Sequence, residues 1–117
     1  MQMKTPFLFI GRKITAATRQ WLYDQEIQYV DANTDTPVEK FDNQTFDAFL
    51  FFNPRGVENF KASGNFPHPL AVILVNENST AQAAWGTFTN KVIILPEQEE
   101  LSFVQYAVAR WMKEISK

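Results

Sequence analysis

The sequence contains no cysteine and a single histidine in 117 residues. Without cysteine there are no disulfides, thiolate metal sites or thiol nucleophiles, and a reducing cytoplasm is the expected compartment. The histidine, His68, lies between two prolines in a predicted connector, which favours a surface or loop-packing role over catalysis. No metal site is therefore expected, and 11 Phe and 3 Trp residues supply enough apolar surface for a core without one.

Long apolar runs and an excess of basic residues are also missing. Nowhere do about 18 apolar residues stand together, so we expect no membrane span, and the apolar stretch near residue 8 is too short for a secretory signal. The 11 Lys and Arg residues are fewer than the 13 Asp and Glu residues, which gives a formal net charge of −2. A chain without a positive field is not expected to bind nucleic acid.

The residues that are present have the balance of one globular domain spanning 1–117. Hydrophobic residues make up 45% of the chain and charged residues 21%. Short apolar runs predict strands buried on both faces, and stretches with apolar residues three and four positions apart predict helices. The predicted strands are 7–10, 27–30, 46–52, 70–75 and 92–95, and the predicted helices are 15–25, 56–62, 79–85 and 101–115. Residues 33–40 are polar, contain Pro37 and predict a loop.

Strands that alternate with helices predict right-handed crossovers and a parallel sheet. We expect an α/β three-layer sandwich with a five-stranded parallel sheet in the flavodoxin-like order 2-1-3-4-5. The tryptophans Trp21, Trp85 and Trp111 fall at helical positions that predict burial in the core. In such a sheet, ligands bind beyond the carboxyl ends of the strands, where helix N-termini present free amide donors.

Two arginines follow predicted strand ends and so belong to this edge. Arg12 and Arg55 can each hold a carboxylate or phosphate in a bidentate manner. The further polar side chains expected in the same crevice are Asn53, Asn76, Asn78, Ser79 and Thr80. Structural roles explain the same residues: the arginines as exposed turn residues paired with a nearby Glu, and one of the three residues 78–80 as a helix cap. No nucleophile elbow, phosphate-binding glycine loop or receiver-type acidic pocket is present, which disfavours dinucleotide, ATP and phosphorelay functions.

Three segments carry a resemblance to the uroporphyrinogen-III synthases. Residues 46–60, FDAFLFFNPRGVENF, resemble the family stretch D-x-x-x-F-T-S-P-S-G-V-x-x-F that follows a central strand. Residues 9–12, FIGR, are similar to the opening strand and its arginine, and residues 72–81, VILVNENSTA, resemble the I-G-x-x-T-A turn. Residues 92–108 resemble the closing strand, proline and helix, so the likeness covers most of the chain.

The sequence departs from the family pattern at several of its polar positions. Asn53 and Arg55 replace the usual serines, and Asn76 replaces the usual glycine. The tyrosine proposed in the family as an acid near the linker has no clear counterpart, and Asn33 is nearest to its place. The resemblance therefore assigns no catalytic residue.

The resemblance implies a cofactor-free lyase of tetrapyrrole (heme) biosynthesis that closes hydroxymethylbilane while inverting its last ring. Family members have two domains with the substrate between them, and this chain resembles the discontinuous domain made continuous through 33–40. A homodimer or a partner domain would then supply the second wall. By position, the carboxylate contacts would be Arg12, Asn53, Arg55, Asn78, Ser79 and Thr80. Two alternatives stay open: a catalytically silent ligand-binding or interaction module derived from that fold, and a plain scaffold for protein contacts.

Overall fold

A computed structural model describes residues 7–10, 14–27, 29–32, 48–62, 64, 66–97 and 99–115 of the chain. The strands are β1 (Phe7–Ile10), β2 (Tyr29–Ala32), β3 (Ala48–Phe51), β4 (Val72–Val75) and β5 (Val92–Ile94). The helices are α1 (Ala16–Asp24), α2 (Pro54–Ala62), α3 (Asn78–Trp85) and α4 (Glu100–Ile115). The predicted loop at 33–40 and the candidate Arg12 lie outside the described residues.

The strands form one sheet in the order β2-β1-β3-β4-β5, and every neighbouring pair is parallel. At the centre of the sheet, Phe51 of β3 stands opposite Ile10 of β1 on one side and Val75 of β4 on the other. The prediction of an α/β fold built on a parallel sheet with helices is confirmed. None of the described helices has the length and apolar character needed to cross a membrane.

Each face of the sheet is covered by a separate apolar core. Leu50 and Phe52 of the β3 segment pack with Leu22 of α1 and Phe103 of α4 on one face. On the other face, residues of β3 and β4 pack against α2 and α3, and Phe60 of α2 lies edge-on to Phe49 at 5.6 Å between ring centres. Successive strand residues point to opposite faces, so a central strand covered on both sides has no solvent-facing position for a polar side chain.

Because the strands are parallel, their carboxyl ends meet at one edge of the sheet. We call this edge the rim and define it by residues 53–56 after β3, residues 76–80 after β4 and residues 95–97 after β5. The first turns of α1 and α4 reach the same edge, where Thr15 and Glu100 are in contact. The predicted ligand contacts that follow β3 and β4 therefore lie on the rim.

Candidate functional site

The turn between β3 and α2 is organised by Asn53. Its side-chain Oδ1 accepts a hydrogen bond from the backbone N–H of Gly56 at 2.7 Å, and Pro54 is the first residue of the helix. An asparagine cap followed by proline is a favoured way to begin a helix, because proline lacks the N–H that the first turn leaves unpaired. The helix therefore begins at Pro54, earlier than the predicted Gly56, and the carboxamide oxygen of Asn53 is already engaged in capping.

Arg55 is the rim residue best placed to meet a ligand. It is exposed in the first turn of α2, and its side chain makes no hydrogen bond or ion pair in the structure as described. The expected pairing with a nearby glutamate is therefore not found among these residues. A cation at this position adds to the positive end of the helix dipole, so both attract an anion to the same place.

Glu77 stabilises the turn between β4 and α3 through side-chain hydrogen bonds within the turn. The Oε1 atom of Glu77 accepts hydrogen bonds from Ser79 Oγ at 2.7 Å and from Thr80 Oγ1 at 3.4 Å. Glu77 is also the N-cap residue, with the extended backbone that this position requires, while Asn78, Ser79 and Thr80 are already helical. The prediction that one of residues 78–80 caps the helix is therefore wrong. Of the three, the exposed Asn78 is the one whose side chain has no partner among the described residues.

A second carboxylate of the chain occupies the N-terminus of α1. Glu100 Oε2 accepts hydrogen bonds from Thr15 N and Thr15 Oγ1, both at 2.9 Å, and from Thr18 Oγ1 at 2.6 Å. Thr15 is the N-cap of α1, and Thr18 is fully buried one turn later. In doubly wound sheets this helix N-terminus, between the first strand and its neighbour, is where ligand anions bind. Here an internal anion takes that position.

This cluster was not predicted from the sequence, because no motif links Glu100 to the start of α1. The signal that was available is Thr15-x-x-Thr18 at the start of a helix, a pattern that places two hydroxyls side by side. The carboxylate that joins them is 85 positions from Thr15 in sequence. Only the packing of α4 beside α1 brings the three side chains together.

Asn76, the first residue after β4, holds the rim's unsatisfied acceptor. Its Oδ1 atom is buried and has no hydrogen-bond partner in the part of the chain that the structure describes. Groups close to Asn76 form hydrogen bonds with other partners. The carbonyl oxygen of Val75 accepts from Leu95 N at 2.8 Å, and Asn53, which follows the adjacent strand β3, caps α2. Asn76 thus places a buried polar atom where the described residues supply no hydrogen-bond donor.

No protein-family model, curated protein or solved structure matches this chain. The likeness to the uroporphyrinogen-III synthases therefore stays an expectation from the sequence motifs quoted above.

The structure also tests the predicted loop-packing role of His68 and the predicted burial of the three tryptophans. Nδ1 of His68 accepts a hydrogen bond from Leu70 N at 2.9 Å, at the edge of the sheet opposite the rim, so the loop-packing role of this histidine is confirmed. Trp111 is buried and Trp21 packs against the same core, as predicted. Trp85 is 55% exposed, so its assignment to the core is wrong. Ala81 and Ala84 of the same helix are fully buried against the sheet, so Trp85 lies on the solvent-facing side of α3.

Two surface depressions lie away from the rim. One is lined by residues at the end of α1, including Tyr23 and Ile27, and the other by Phe66, Phe88 and Asn90. Both lie next to the amino ends of strands. Among the described residues, no group of three or more His, Asp or Glu side chains is placed to hold a metal ion.

Proposed function

We propose that this chain is a uroporphyrinogen-III synthase-like protein of tetrapyrrole biosynthesis, a flavodoxin-like three-layer domain that binds the carboxylates of a linear tetrapyrrole at its rim in the cytoplasm. The observation that carries the proposal is the exposed guanidinium of Arg55 in the first turn of α2, which has no partner among the residues that the structure describes. Asn78 begins the neighbouring helix α3, and its exposed carboxamide has no partner in the same described part. Two donors at the starts of adjacent helices suit a ligand with several carboxylates.

The ring closure of hydroxymethylbilane asks the protein mainly to hold the linear substrate in a folded conformation. Carboxylates fixed by a guanidinium and by helix N-termini would bring the reacting ends together without a cofactor. The rim supplies one wall for this task, so the proposal includes a second wall from another copy of the chain or from a partner domain. Arg12, outside the described residues, is proposed as a further contact on the strength of the motif alone.

The second candidate is a ligand-binding module without catalysis, and a specific observation favours it. The hydroxyls of Ser79 and Thr80 already donate to Glu77, and Thr15 and Thr18 already donate to Glu100. A substrate carboxylate must displace these internal carboxylates or bind beside them. A rim with fewer free hydrogen-bond donors still attracts an anion, but it contacts a large substrate at fewer points.

The deciding experiment supplies freshly generated hydroxymethylbilane to the purified protein and separates the products. Type III product above the spontaneous background supports the enzyme, and type I product alone, with tight binding of the reduced tetrapyrrole, supports the silent module. Light scattering on the same sample, with and without ligand, reports whether a second copy completes the cleft. A monomer that forms type III product would contradict the need for a second wall.

Binding is tested separately with Arg55→Ala, measured by calorimetry against uroporphyrinogen I under anaerobic conditions. Removing a charged hydrogen-bond donor costs about 1.5–3 kcal/mol, so we expect affinity to fall at least about tenfold. Lys61→Ala is the matched control, because Lys61 is an exposed cation in the last turn of the same helix, away from the rim. Equal affinity of the Arg55 and Lys61 variants would remove the proposed binding site.

A further inference from the structure

The unsatisfied acceptor of Asn76 marks a position that a ligand can complete. Buried polar atoms in folded proteins nearly always have a hydrogen-bond partner, and one without a partner calls for a specific explanation. Asn76 Oδ1 is buried, unpartnered within the described residues and located at the carboxyl end of β4. The carboxyl ends of parallel strands are where ligands bind in this class of sheet.

A second asparagine shows what a purely structural role looks like in this chain. Asn90 donates through Nδ2 to the carbonyl of His68 at 2.8 Å and to the carbonyl of Ala71 at 3.0 Å, at the opposite edge of the sheet. Those two bonds tie the connector before β4 to the turn before β5. Oδ1 of Asn76, by contrast, accepts no hydrogen bond within the described part of the chain.

We infer that Asn76 is a specificity-determining residue whose Oδ1 accepts a hydrogen bond from an N–H or O–H group of the ligand. The rim then selects anions that carry a donor close to their carboxylates over anions that do not. This inference rests on the proposed function, because it assumes that a carboxylate ligand is bound near Arg55. Since Oδ1 is shielded from solvent in this structure, the donor reaches it only when neighbouring rim side chains move on binding.

The experiment compares two probes that differ in one atom: a pyrrole dicarboxylate and the furan dicarboxylate with the same substitution. The pyrrole N–H is a donor and the furan oxygen is not, while the carboxylates are identical. Affinities are measured by titrating the isotope-labelled protein and following its backbone amide signals. For the wild-type chain we expect the pyrrole to bind about tenfold more tightly, the size of one well-formed buried hydrogen bond.

The variant Asn76→Leu removes the acceptor while keeping the number and branching of the side-chain heavy atoms, and we expect it to bind both probes equally. Its thermal midpoint should match or exceed that of the wild type, because no hydrogen bond in the free protein is lost. Asn90→Leu is the control and should lower the midpoint while leaving the preference for the pyrrole intact.

The outcomes separate this inference from the function on which it rests. If both probes bind the wild type equally and Arg55→Ala weakens both, the role of Asn76 is wrong and the carboxylate site stands. If Asn76→Leu keeps the preference for the pyrrole, the donor is recognised elsewhere and the inference is overturned. If neither probe shifts the rim amides, the proposed function falls together with it. The wild-type comparison needs no variant, so it decides the matter even where a substitution impairs folding.

Discussion

Several polar side chains at the rim form hydrogen bonds within the protein and are therefore not free to bind a ligand. Asn53 caps α2, Glu77 accepts from two hydroxyls of α3, and Glu100 accepts from the N-terminus of α1. Each bond satisfies a donor that a helix end would otherwise present to water or to a ligand. A residue type that matches a binding motif therefore predicts a ligand contact only when it still has an unused hydrogen-bonding group. In the described part of the rim this holds for Arg55, Asn76 and Asn78.

Thr18→Val tests the contribution of the Glu100 cluster to stability. Valine keeps the shape of threonine but removes the hydroxyl that donates to Glu100 Oε2 at 2.6 Å. We expect the free energy of unfolding to fall by about 1.5–3 kcal/mol, the range for a hydrogen bond to a charged group. Urea denaturation measures the loss, and Thr89→Val, at an exposed position, should change stability by less than about 0.5 kcal/mol. Similar values for the two variants would show that the cluster adds no stability.

Among the elements, the end of α1 carries a residue in an unfavourable backbone conformation. Glu26 has a φ of 58°, in the left-handed region. Its N–H bonds to the carbonyl of Tyr23, and the N–H of Ile27 bonds to the carbonyl of Leu22, both at 3.0 Å. This pattern closes a helix in the Schellman manner, and glycine is the residue that normally occupies the left-handed position. Ile27 packs against the same core as Leu22, so the motif also directs the chain toward β2.

Glu26→Gly is therefore expected to stabilise the protein. Glycine adopts positive φ without the steric cost that other residues bear, and we expect a gain of about 0.5–1 kcal/mol after the added freedom of the unfolded chain is counted. Glu58→Gly is the matched control, because Glu58 is exposed within α2, where glycine costs about 1 kcal/mol. The two changes should move the thermal midpoint in opposite directions. Destabilisation by Glu26→Gly would mean that the glutamate side chain supports this turn.

The elements also show which signals in a sequence can be trusted. The uninterrupted apolar runs at 7–10 and 72–75 predicted strands, because only a strand covered on both faces is apolar at every position. The predicted start of α2 at Gly56 is two residues late, because the prediction did not use Asn53 as a helix cap and Pro54 as the first helical residue. The cluster around Glu100 could not be predicted, because its partners are distant in sequence and meet only through the packing of two helices.

On the scale of the whole molecule, β3 and β4 belong to both cores. Phe51 lies on the α2 and α3 face and Leu50 on the α1 and α4 face, one residue apart on the same strand. A strand that loses its packing on one side also loses the hydrogen bonds that position it on the other. The two cores are therefore expected to unfold together, as is usual for domains of this size.

Phe60→Ala tests this coupling from one face. Phe60 is fully buried and lies edge-on to Phe49 and Phe51, so its truncation should cost about 3–5 kcal/mol. In a Trp85→Phe background, tryptophan fluorescence reports the opposite core through Trp21 and Trp111, while circular dichroism reports all helices. Because both cores share one sheet, the two signals should give the same lowered urea midpoint. A fluorescence midpoint that stayed at the wild-type value would show that the α1 and α4 face holds its structure independently, and the sheet would then be a boundary between two folding units.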